Sequence, residues 1–265
     1  MPESAGGRKS RAAGPPRRRS AADRLLAVLD AFDHDNPALS LTGIARRAAL
    51  TPATAHRLTG VLCAWGALER DAQGSFHIGL RVWELAALAP RGHALRDAAL
   101  PFLEDLYEAT HENVHLAVRD RLDVVYIERI SGRTAVGVRS RVGARWPLHA
   151  TGVGLVLLAH SSAAVQEQAC SRPLETFTPH TLSDPVRLRR VLAEVRRTGC
   201  AVSDRQITED ALSVAAPVRG PRGDVVAAVS LVVPAAGAQP PALIPAVRLA
   251  GRGISRALGW QPGAG

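Results

Sequence analysis

The stretch from Leu39 to Gly79 limits the possible folds of this chain more than any other part of it. Near its start, Ile44, Ala45 and Ala48 stand three or four positions apart, which is the spacing of one apolar helix face. The pattern predicts a short helix over residues 40–50 that ends in a tight turn.

The next residues predict the start of a second helix. Thr51 can cap it by accepting a hydrogen bond from a backbone N–H, and Pro52 suits the first helical position, where an N–H would have no helical partner. One apolar stripe runs along this helix and comprises Ala55, Leu58, Val61, Leu62 and Trp65. The polar positions off the stripe, which we expect to face outward, are Thr54, His56, Arg57 and Thr59. Two helices joined by a few residues predict a helix-turn-helix.

A β-hairpin is predicted directly after the helix-turn-helix. Beyond Gly66 the apolar period changes to two, in Leu68–Arg70 and again in Phe76–Ile78, and the polar residues 71–74 separate the two segments. A hairpin in this position is a wing. The stretch as a whole therefore predicts a winged helix-turn-helix that reads DNA.

The exposed start of the second helix is predicted to enter the major groove, where Arg57 would contact a base edge together with Thr54 and His56. In the wing, Arg70 is expected to reach a phosphate or the minor groove. The residues assigned to DNA contact are Thr51, Ala53, Thr54, His56, Arg57 and Arg70. For Arg57, an internal salt bridge that holds the helices together is the alternative.

The charge balance agrees with a polyanionic partner such as double-stranded DNA. The chain has 33 Lys and Arg residues against 24 Asp and Glu residues, which gives a formal net charge of +9, and Lys9 is its only lysine. Arginine suits bidentate contacts with phosphate and guanine. A bias in coding would produce the same arginine-rich composition, so charge alone leaves the partner open.

Cysteine usage and hydropathy indicate a cytoplasmic protein with no membrane partner. Cys63, Cys170 and Cys200 are far apart and match neither a disulfide framework nor a zinc-binding spacing. The N-terminal arginines resemble the start of a signal peptide, but acidic residues follow where an apolar segment is required. Prolines break the uncharged run 225–247, which favours a buried strand, a loop and a helix start over a membrane span.

The chain is long enough for two modest cores, since 46% of its 265 residues are hydrophobic. The predicted segments are a disordered basic arm (1–19), the winged helix-turn-helix domain (20–80), a linker helix and hinge (81–93), a second domain (94–260) and a tail (261–265). The arm shows no apolar periodicity, so it cannot bury surface to offset the entropy of ordering. Pro90–Gly92 breaks the helical pattern and marks the hinge.

The second domain is predicted to be α+β with an antiparallel sheet. Period-two segments predict strands at Val114–Val118, Val124–Ile127, Val136–Val138, Leu212–Val218 and Val225–Val233. Helical spacing predicts helices at Ala94–Thr110, from Leu155, at Ala163–Ala169, at Pro185–Thr198 and at Pro241–Leu258. A polar loop is predicted over Gly143–Gly154.

Residues 111–115, His-Glu-Asn-Val-His, match the zinc-peptidase signature His-Glu-x-x-His. In that signature two histidines one helical turn apart bind zinc, and the glutamate activates water. Here the helical pattern ends near His111, and Val114–Val118 alternates as a strand, which would hold the histidines too far apart to share a metal. A DNA-associated zinc metalloenzyme is therefore an alternative that requires this segment to be helical.

Gly152 and Gly154 precede a predicted helix. A helix N-terminus presents free N–H groups and a partial positive charge, so the amides near Gly154 and Leu155 are candidates for binding a carboxylate. The alternative is a tight loop in which glycine serves only the backbone conformation. The sequence shows no catalytic arrangement of serine, cysteine or carboxylate residues, so we predict neither an enzyme nor a cofactor.

From about Ala21 to Leu258 the chain resembles the IclR family of bacterial transcription regulators. In the first domain the resemblance rests on residues 41–46, 51–58 and 66–70. In the second domain it rests on residues 147–154, Asp204, residues 215–218 and the last strand, residues 227–231. The order and spacing of these segments together make the resemblance specific.

The resemblance implies a winged helix-turn-helix joined by a helix to a GAF-like effector-binding domain. It also implies a dimer or a dimer of dimers on a palindromic operator, with a small organic acid as effector. The residues that it assigns to the effector are Gly154, Leu155, Asp204, Ser213 and Ser230. One departure concerns the ligand, because the Gly-x-x-Cys common in the family before Ala-Ala-Pro is here Asp210–Ser213. The competing interpretation is a small-molecule sensor whose helix-turn-helix binds protein.

Overall fold

The structure, a computed structural model, describes residues 19–89, 93–132, 135–138 and 140–261. The predicted hinge at Pro90–Gly92 lies outside these residues, as do residues 1–18 of the predicted arm and residues 262–265 of the predicted tail. The chain divides between Ala89 and Pro90 into two compact units. Among the described residues, no helix has the length and apolarity that crossing a bilayer requires.

The N-terminal unit combines a helix-turn-helix with a small sheet. Its described elements are α1 (Ala21–Leu29), β1 (Ala38–Leu39), α2 (Leu41–Ala48), α3 (Pro52–Trp65), β2 (Leu68–Arg70), β3 (Phe76–Ile78) and α4 (Leu80–Ala87). The strands form an antiparallel sheet in the order β1-β3-β2. The helix-turn-helix of α2 and α3 and the wing of β2 and β3 are confirmed. Strand β1 is absent from the prediction because two residues are too few to show an alternation.

Local side-chain chemistry determines where the two helices of this motif begin. Ser40 Oγ accepts a hydrogen bond from Gly43 N at 3.1 Å and caps α2. Thr51 Oγ1 accepts one from Thr54 N at 3.3 Å, and Pro52 is the first residue of α3. The predicted cap and start of the second helix are therefore confirmed.

One hydrophobic core joins the helices to the wing. Its buried members include Val28 of α1, Ile44 of α2, Leu62 of α3, Leu68 of β2 and Phe76 of β3. Because both strands of the wing contribute to this core, the hairpin is held beside α2 and α3 by apolar packing rather than by its turn alone.

The buried face of α3 differs from the predicted stripe. Ala55 and Leu62 are buried, but Val61 is 49% exposed and Trp65 is 52% exposed. Thr59, predicted to face outward, is buried and donates its hydroxyl to Ala55 O at 2.9 Å. Positions 55, 59 and 62 follow the i, i+4, i+7 spacing of one face, and a threonine fits there because a carbonyl four residues earlier accepts its hydroxyl.

The C-terminal unit is an α+β domain, as predicted. Its described elements are α5 (His93–Thr110), β4 (Asn113–Asp120), β5 (Asp123–Ile130), β6 (Arg145–Pro147), α6 (Gly152–Ala159), α7 (Ala163–Cys170), α8 (Pro185–Thr198), β7 (Ala201–Asp204), β8 (Ala211–Arg219), β9 (Val225–Pro234) and α9 (Pro240–Ala257). The strands form one antiparallel sheet in the order β6-β5-β4-β9-β8-β7.

Each face of this sheet has its own core because side chains alternate along a strand. On one face, Leu116 of β4 and Val229 of β9 pack with residues of α5 and α9. On the other face, Ala117 of β4 and Ala228 of β9 pack with residues of α6, α7 and α8. The helices on the two faces therefore form separate outer layers around a central sheet.

Several predictions for this domain are wrong. Val136–Val138 is not a strand, and β6 and β7 are absent from the prediction because three or four residues show little periodicity. The predicted loop over Gly143–Gly154 contains β6, a 3₁₀ turn and the start of α6. The helix begins at Gly152 rather than at Leu155, because glycine here serves close packing inside a helix rather than a loop.

Two glycines of the N-terminal unit predict opposite effects on stability. A Cβ at Gly60 in α3 would meet no atom within 4 Å, whereas a Cβ at Gly79 would lie 2.3 Å from Gly66 O. We expect Gly60→Ala to raise the free energy of unfolding by about 1 kcal/mol through helix propensity. We expect Gly79→Ala to lower it by about 1–3 kcal/mol because a backbone carbonyl must move. Urea unfolding of both variants measures this, and effects of the same sign would contradict the packing described.

Candidate functional sites

The start of α3 presents an exposed surface in the N-terminal unit. Ala53, His56 and Arg57 are exposed, and within the described part of the chain Arg57 has no ion-pair or hydrogen-bond partner. Thr54 is half-buried, and its hydroxyl accepts a hydrogen bond from Thr51 Oγ1 at 2.9 Å. The internal salt bridge considered for Arg57 is therefore not found among the described residues, and its guanidinium is available to an external anion.

Arg70 is the cation of the wing. Its Nε donates to Gly74 O at 3.2 Å, and its guanidinium lies 5.5 Å from the centre of the Phe76 ring. These contacts lay the side chain along the hairpin while leaving it exposed to solvent. The remaining N–H groups of the guanidinium can therefore reach a phosphate without reordering the wing.

The C-terminal unit contains a cavity on the sheet face that α6 covers. Its empty volume of about 520 Å³ includes the open solvent at its mouth. Its polar lining residues are His115, Tyr126, Ser140, Thr151, Ser203, Gln206, Thr208, Ser213 and Ser230. Its other lining residues are Val138, Trp146, Ala150, Gly152, Val153, Ile207, Ala211 and Val232. None of these described residues is Asp, Glu, Lys or Arg.

The N-terminus of α6 forms one end of the cavity. Thr151 caps the helix, because its Oγ1 accepts from Gly154 N at 3.0 Å and its carbonyl accepts from Leu155 N at 2.9 Å. The amides of Gly152 and Val153 have no partner within the described part of the chain. Both residues line the cavity, so two free N–H groups and the positive end of the helix dipole face it.

Hydroxyl groups of the sheet lie beside this helix end. A Cβ on Gly152 would lie 2.7 Å from Ser213 Oγ, so the first turn of α6 sits directly over β8. On the next strand, Ser230 pairs in register with Ala215 of β8 and with His115 of β4. The sheet surface that forms the floor of the cavity is therefore polar beside the N-terminus of α6. The sheet surface on either side of this polar area is apolar.

His115 lies in the wall of the cavity, on β4. It is 2% exposed, and its Nε2 lies 2.9 Å from Ser140 Oγ. Its ring also makes an edge contact with Tyr126, at 5.2 Å between centroids. Burial, together with the charge of Arg129, lowers the pKa of His115 to about 3, so the imidazole is neutral at pH 7.

The structure brings together some of the residues that the resemblance assigns to the effector. Ser213 and Ser230 line the cavity, whereas Gly154 and Leu155 are buried behind its lining. Asp204 does not line it. Its carboxylate binds the Arg205 guanidinium, with Oδ1 2.9 Å from Nε, and this hydrogen bond lowers the pKa of Asp204.

Sequence reasoning missed most of the cavity. The additional polar lining residues come from six separate segments, and they are His115, Tyr126, Ser140, Thr151, Ser203, Gln206 and Thr208. Such residues carry no local motif, because sheet pairing brings them together. Asp210, the departure noted above, is exposed and does not line the cavity.

The zinc-peptidase alternative lacks the helix that it requires. Helix α5 ends at Thr110, and His111 adopts a left-handed backbone conformation with φ of 55°. His115 is the third residue of β4. The two histidines therefore do not share a helix face, and the described residues contain no group of three metal-ligating side chains.

Comparison with known proteins now identifies the family. The sequence model described as the IclR helix-turn-helix domain matches residues 21–72. The one described as the C-terminal part of the bacterial transcriptional regulator IclR matches residues 88–256. The chain belongs to the IclR family of bacterial transcriptional regulators. The resemblance seen in the sequence is thereby confirmed.

Individual IclR-type proteins are similar over most of the chain. The HTH-type transcriptional regulator XynR of Escherichia coli K12 is 31% identical over 79% of this chain and 84% of its own length. The glycerol operon regulatory protein of Streptomyces coelicolor is 30% identical over 89% of this chain and 95% of its own length. A solved IclR homologue from Microbacterium hydrocarbonoxydans, complexed with 4-hydroxybenzoate, is 38% identical and covers 90% of this chain and 99% of its own, with a TM-score of 0.85.

The neutral state of His115 predicts an acid-sensitive step in the stability of this IclR-family protein. In the unfolded chain a histidine has a pKa near 6.5. Below that pH the imidazole of His115 is protonated in the unfolded state, whereas in the folded state it stays neutral down to about pH 3. Stability therefore falls as the pH falls through this window, with a slope of up to about 1.4 kcal/mol per pH unit.

We expect His115→Phe to remove this part of the pH dependence. Between pH 6.5 and pH 4.5 the wild-type protein should lose about 2 kcal/mol more than the variant. Urea unfolding at the two pH values measures the difference. Equal losses in the two proteins would contradict a buried neutral imidazole at position 115.

Proposed function

We propose that this IclR-family regulator acts in the cytoplasm, binds a palindromic operator as a homodimer or a dimer of dimers, and changes its operator affinity when a small carboxylate-containing effector enters the cavity. The observation that carries the effector part is an uncharged cavity with two unpaired amides of α6 at one end. The DNA part rests on the exposed, unpaired Arg57 at the start of α3.

We assign the reading of operator bases to α3. We assign the contact with phosphate or with the minor groove to the wing. Arg57 and His56 extend from the helix surface, and Ala53 and the Thr51–Thr54 pair form its first turn. Small residues at a helix start allow close approach to the groove, and the arginine supplies a bidentate donor for guanine. In the wing, Arg70 is already aligned along the hairpin for phosphate contact.

A single carboxylate is the group that the cavity suits best. The amides of Gly152 and Val153 supply two donors, and the aligned peptides of α6 supply a partial positive charge. The hydroxyls of Ser213 and Ser230 lie close by as further donors. Because no lining side chain carries a formal charge, a second anionic group in the cavity would lack a cationic partner.

The similar protein from Microbacterium hydrocarbonoxydans supports this ligand class. That protein was solved in complex with 4-hydroxybenzoate, which is a monocarboxylate. We therefore assign small organic monocarboxylates as the effector class of this chain. Effector binding acts by favouring one of two pre-existing arrangements of the oligomer, which couples the cavity to the spacing of the DNA-binding units.

Arg57→Ala tests the assignment of α3. It should weaken binding to the operator, located by footprinting upstream of the gene, by about 1–3 kcal/mol because a base contact is lost. Binding to random DNA should change much less, as measured by fluorescence anisotropy at one salt concentration. Arg187→Ala removes the same charge from an exposed position of α8 and serves as the control. An equal loss on both DNAs would show that Arg57 contacts phosphate alone.

The carboxylate assignment is tested with benzoate and its uncharged analogue benzamide. Benzoate should bind at least about tenfold more tightly in calorimetry, because only the anion gains from the two amides and the helix dipole. Ser213→Ala should weaken the binding of benzoate by about 0.5–1.5 kcal/mol. Ser171→Ala, which removes an exposed hydroxyl outside the cavity, is the matched control. Equal affinities for the acid and the amide would contradict the proposal.

A further inference from the structure

The cavity has a second polar end, formed by His115 and Ser140. The two side chains are 2% and 6% exposed, and both line the cavity. His115 Nε2 lies 2.9 Å from Ser140 Oγ, and within the described part of the chain the other ring nitrogen, Nδ1, has no partner. This nitrogen is not a fully buried unpartnered atom, and because its residue lines the cavity, a ligand atom can bond to it.

This polar pair lies across the sheet from the end of α6. Gly152 sits over β8, and His115 belongs to β4, with β9 between the two strands. Two strand spacings correspond to about 10 Å. Apolar side chains line the cavity in addition to these two polar ends, among them Trp146, Val153 and Val232. Ser230 of β9 lies on the strand between them, so the site suits a ligand with a polar group at each end and both apolar and polar contacts along its length.

We infer that His115 and Ser140 form a hydroxyl-recognition subsite, so that the effector is a monocarboxylate with a hydroxyl group at the end opposite its carboxylate. This inference rests on the proposed effector site at α6. It assigns the second polar group of the ligand and makes His115 a specificity-determining residue.

The chemistry of a neutral imidazole selects a hydroxyl. A neutral ring has one N–H and one lone pair, and which nitrogen carries the proton depends on the bond with Ser140. If Ser140 donates to Nε2, then Nδ1 donates to the ligand; if Ser140 accepts, then Nδ1 accepts from the ligand. A hydroxyl matches either arrangement, whereas a carboxylate can only accept and an ammonium group can only donate.

Surrounding groups hold this pair in place. Arg129 donates to Ser140 O at 3.1 Å and to Asn113 Oδ1 at 3.3 Å. Asn113 Nδ2 in turn donates to Val136 O at 2.8 Å. The two terminal nitrogens of Arg129 are thus bonded to protein oxygens, whereas its Nε is buried and has no partner within the described residues. Arg129 does not line the cavity. Its charge favours the neutral form of the His115 imidazole.

The test compares benzoate, 4-hydroxybenzoate and benzene-1,4-dicarboxylate by calorimetry on the full-length protein. We expect 4-hydroxybenzoate to bind about tenfold more tightly than benzoate, which is the usual gain from one buried hydrogen bond to a polar partner. The dicarboxylate should bind more weakly than benzoate. His115→Phe should abolish the preference for the hydroxyl, which is measured as the ratio of the affinities for 4-hydroxybenzoate and benzoate in the same variant.

Two further variants and one control separate recognition of the ligand hydroxyl from the packing of the histidine ring. His115→Gln keeps a donor and an acceptor, so part of the hydroxyl preference should survive. Ser140→Ala should reduce the preference without replacing the histidine, which keeps the test valid if His115→Phe fails to fold. His160→Phe replaces a half-buried histidine at the other end of α6 and should leave the preference unchanged.

Equal binding of benzoate and 4-hydroxybenzoate to the wild-type protein would overturn the hydroxyl subsite and leave the carboxylate site standing. A hydroxyl preference that survives in both His115→Phe and Ser140→Ala would also overturn it. Failure of all three acids to bind would overturn the carboxylate site together with this inference. Dicarboxylate binding as tight as that of 4-hydroxybenzoate would show that the far end accepts charge.

Discussion

The cap that Thr151 places on α6 is the interaction on which the ligand cavity depends. Its side chain and its carbonyl take up the amides of Gly154 and Leu155, and this leaves the first two amides of the helix for the cavity. Gly154 allows the turn to close, because any Cβ there would lie 2.3 Å from Leu148 O. The N-terminus of α6, which is the proposed carboxylate site, is therefore fixed by the cap of Thr151 and the close packing of Gly154.

The two faces of the sheet differ in the side chains that they bury. On the face covered by α5 and α9, buried aliphatic side chains continue along the strands, as at Leu212, Val214, Leu231 and Val233. On the other face, hydroxyls and an imidazole replace them near one end, at Ser213, Ser230 and His115. A strand with this pattern buries both faces, so its alternation is between apolar and small polar residues rather than between buried and exposed ones.

Elements with strong local signals could be predicted from the sequence, whereas the cavity could not. Thr51-Pro52 specifies a cap and a helix start by its own chemistry, and Asp184 with Pro185 does the same for α8. By contrast, β6 has three residues and depends on pairing with β5, so no periodicity reveals it. His115 belongs to a segment that matches a zinc motif. Its neighbours Ser140 and Ser230 come close to it only through tertiary folding and strand register, which cannot be seen in the sequence.

The complete burial of α6 determines how the proposed effector, bound at its N-terminus, would act on the rest of the domain. Every residue from Gly152 to Ala159 is buried, and the helix packs on the sheet and on α8. Protein interiors are close-packed, so such a helix cannot tilt or slide by a fraction of an ångström without moving its neighbours. The proposed effector, bound at the free amides, would therefore act on an element that is packed on the sheet and on α8. A binding site built on an exposed loop would order only that loop.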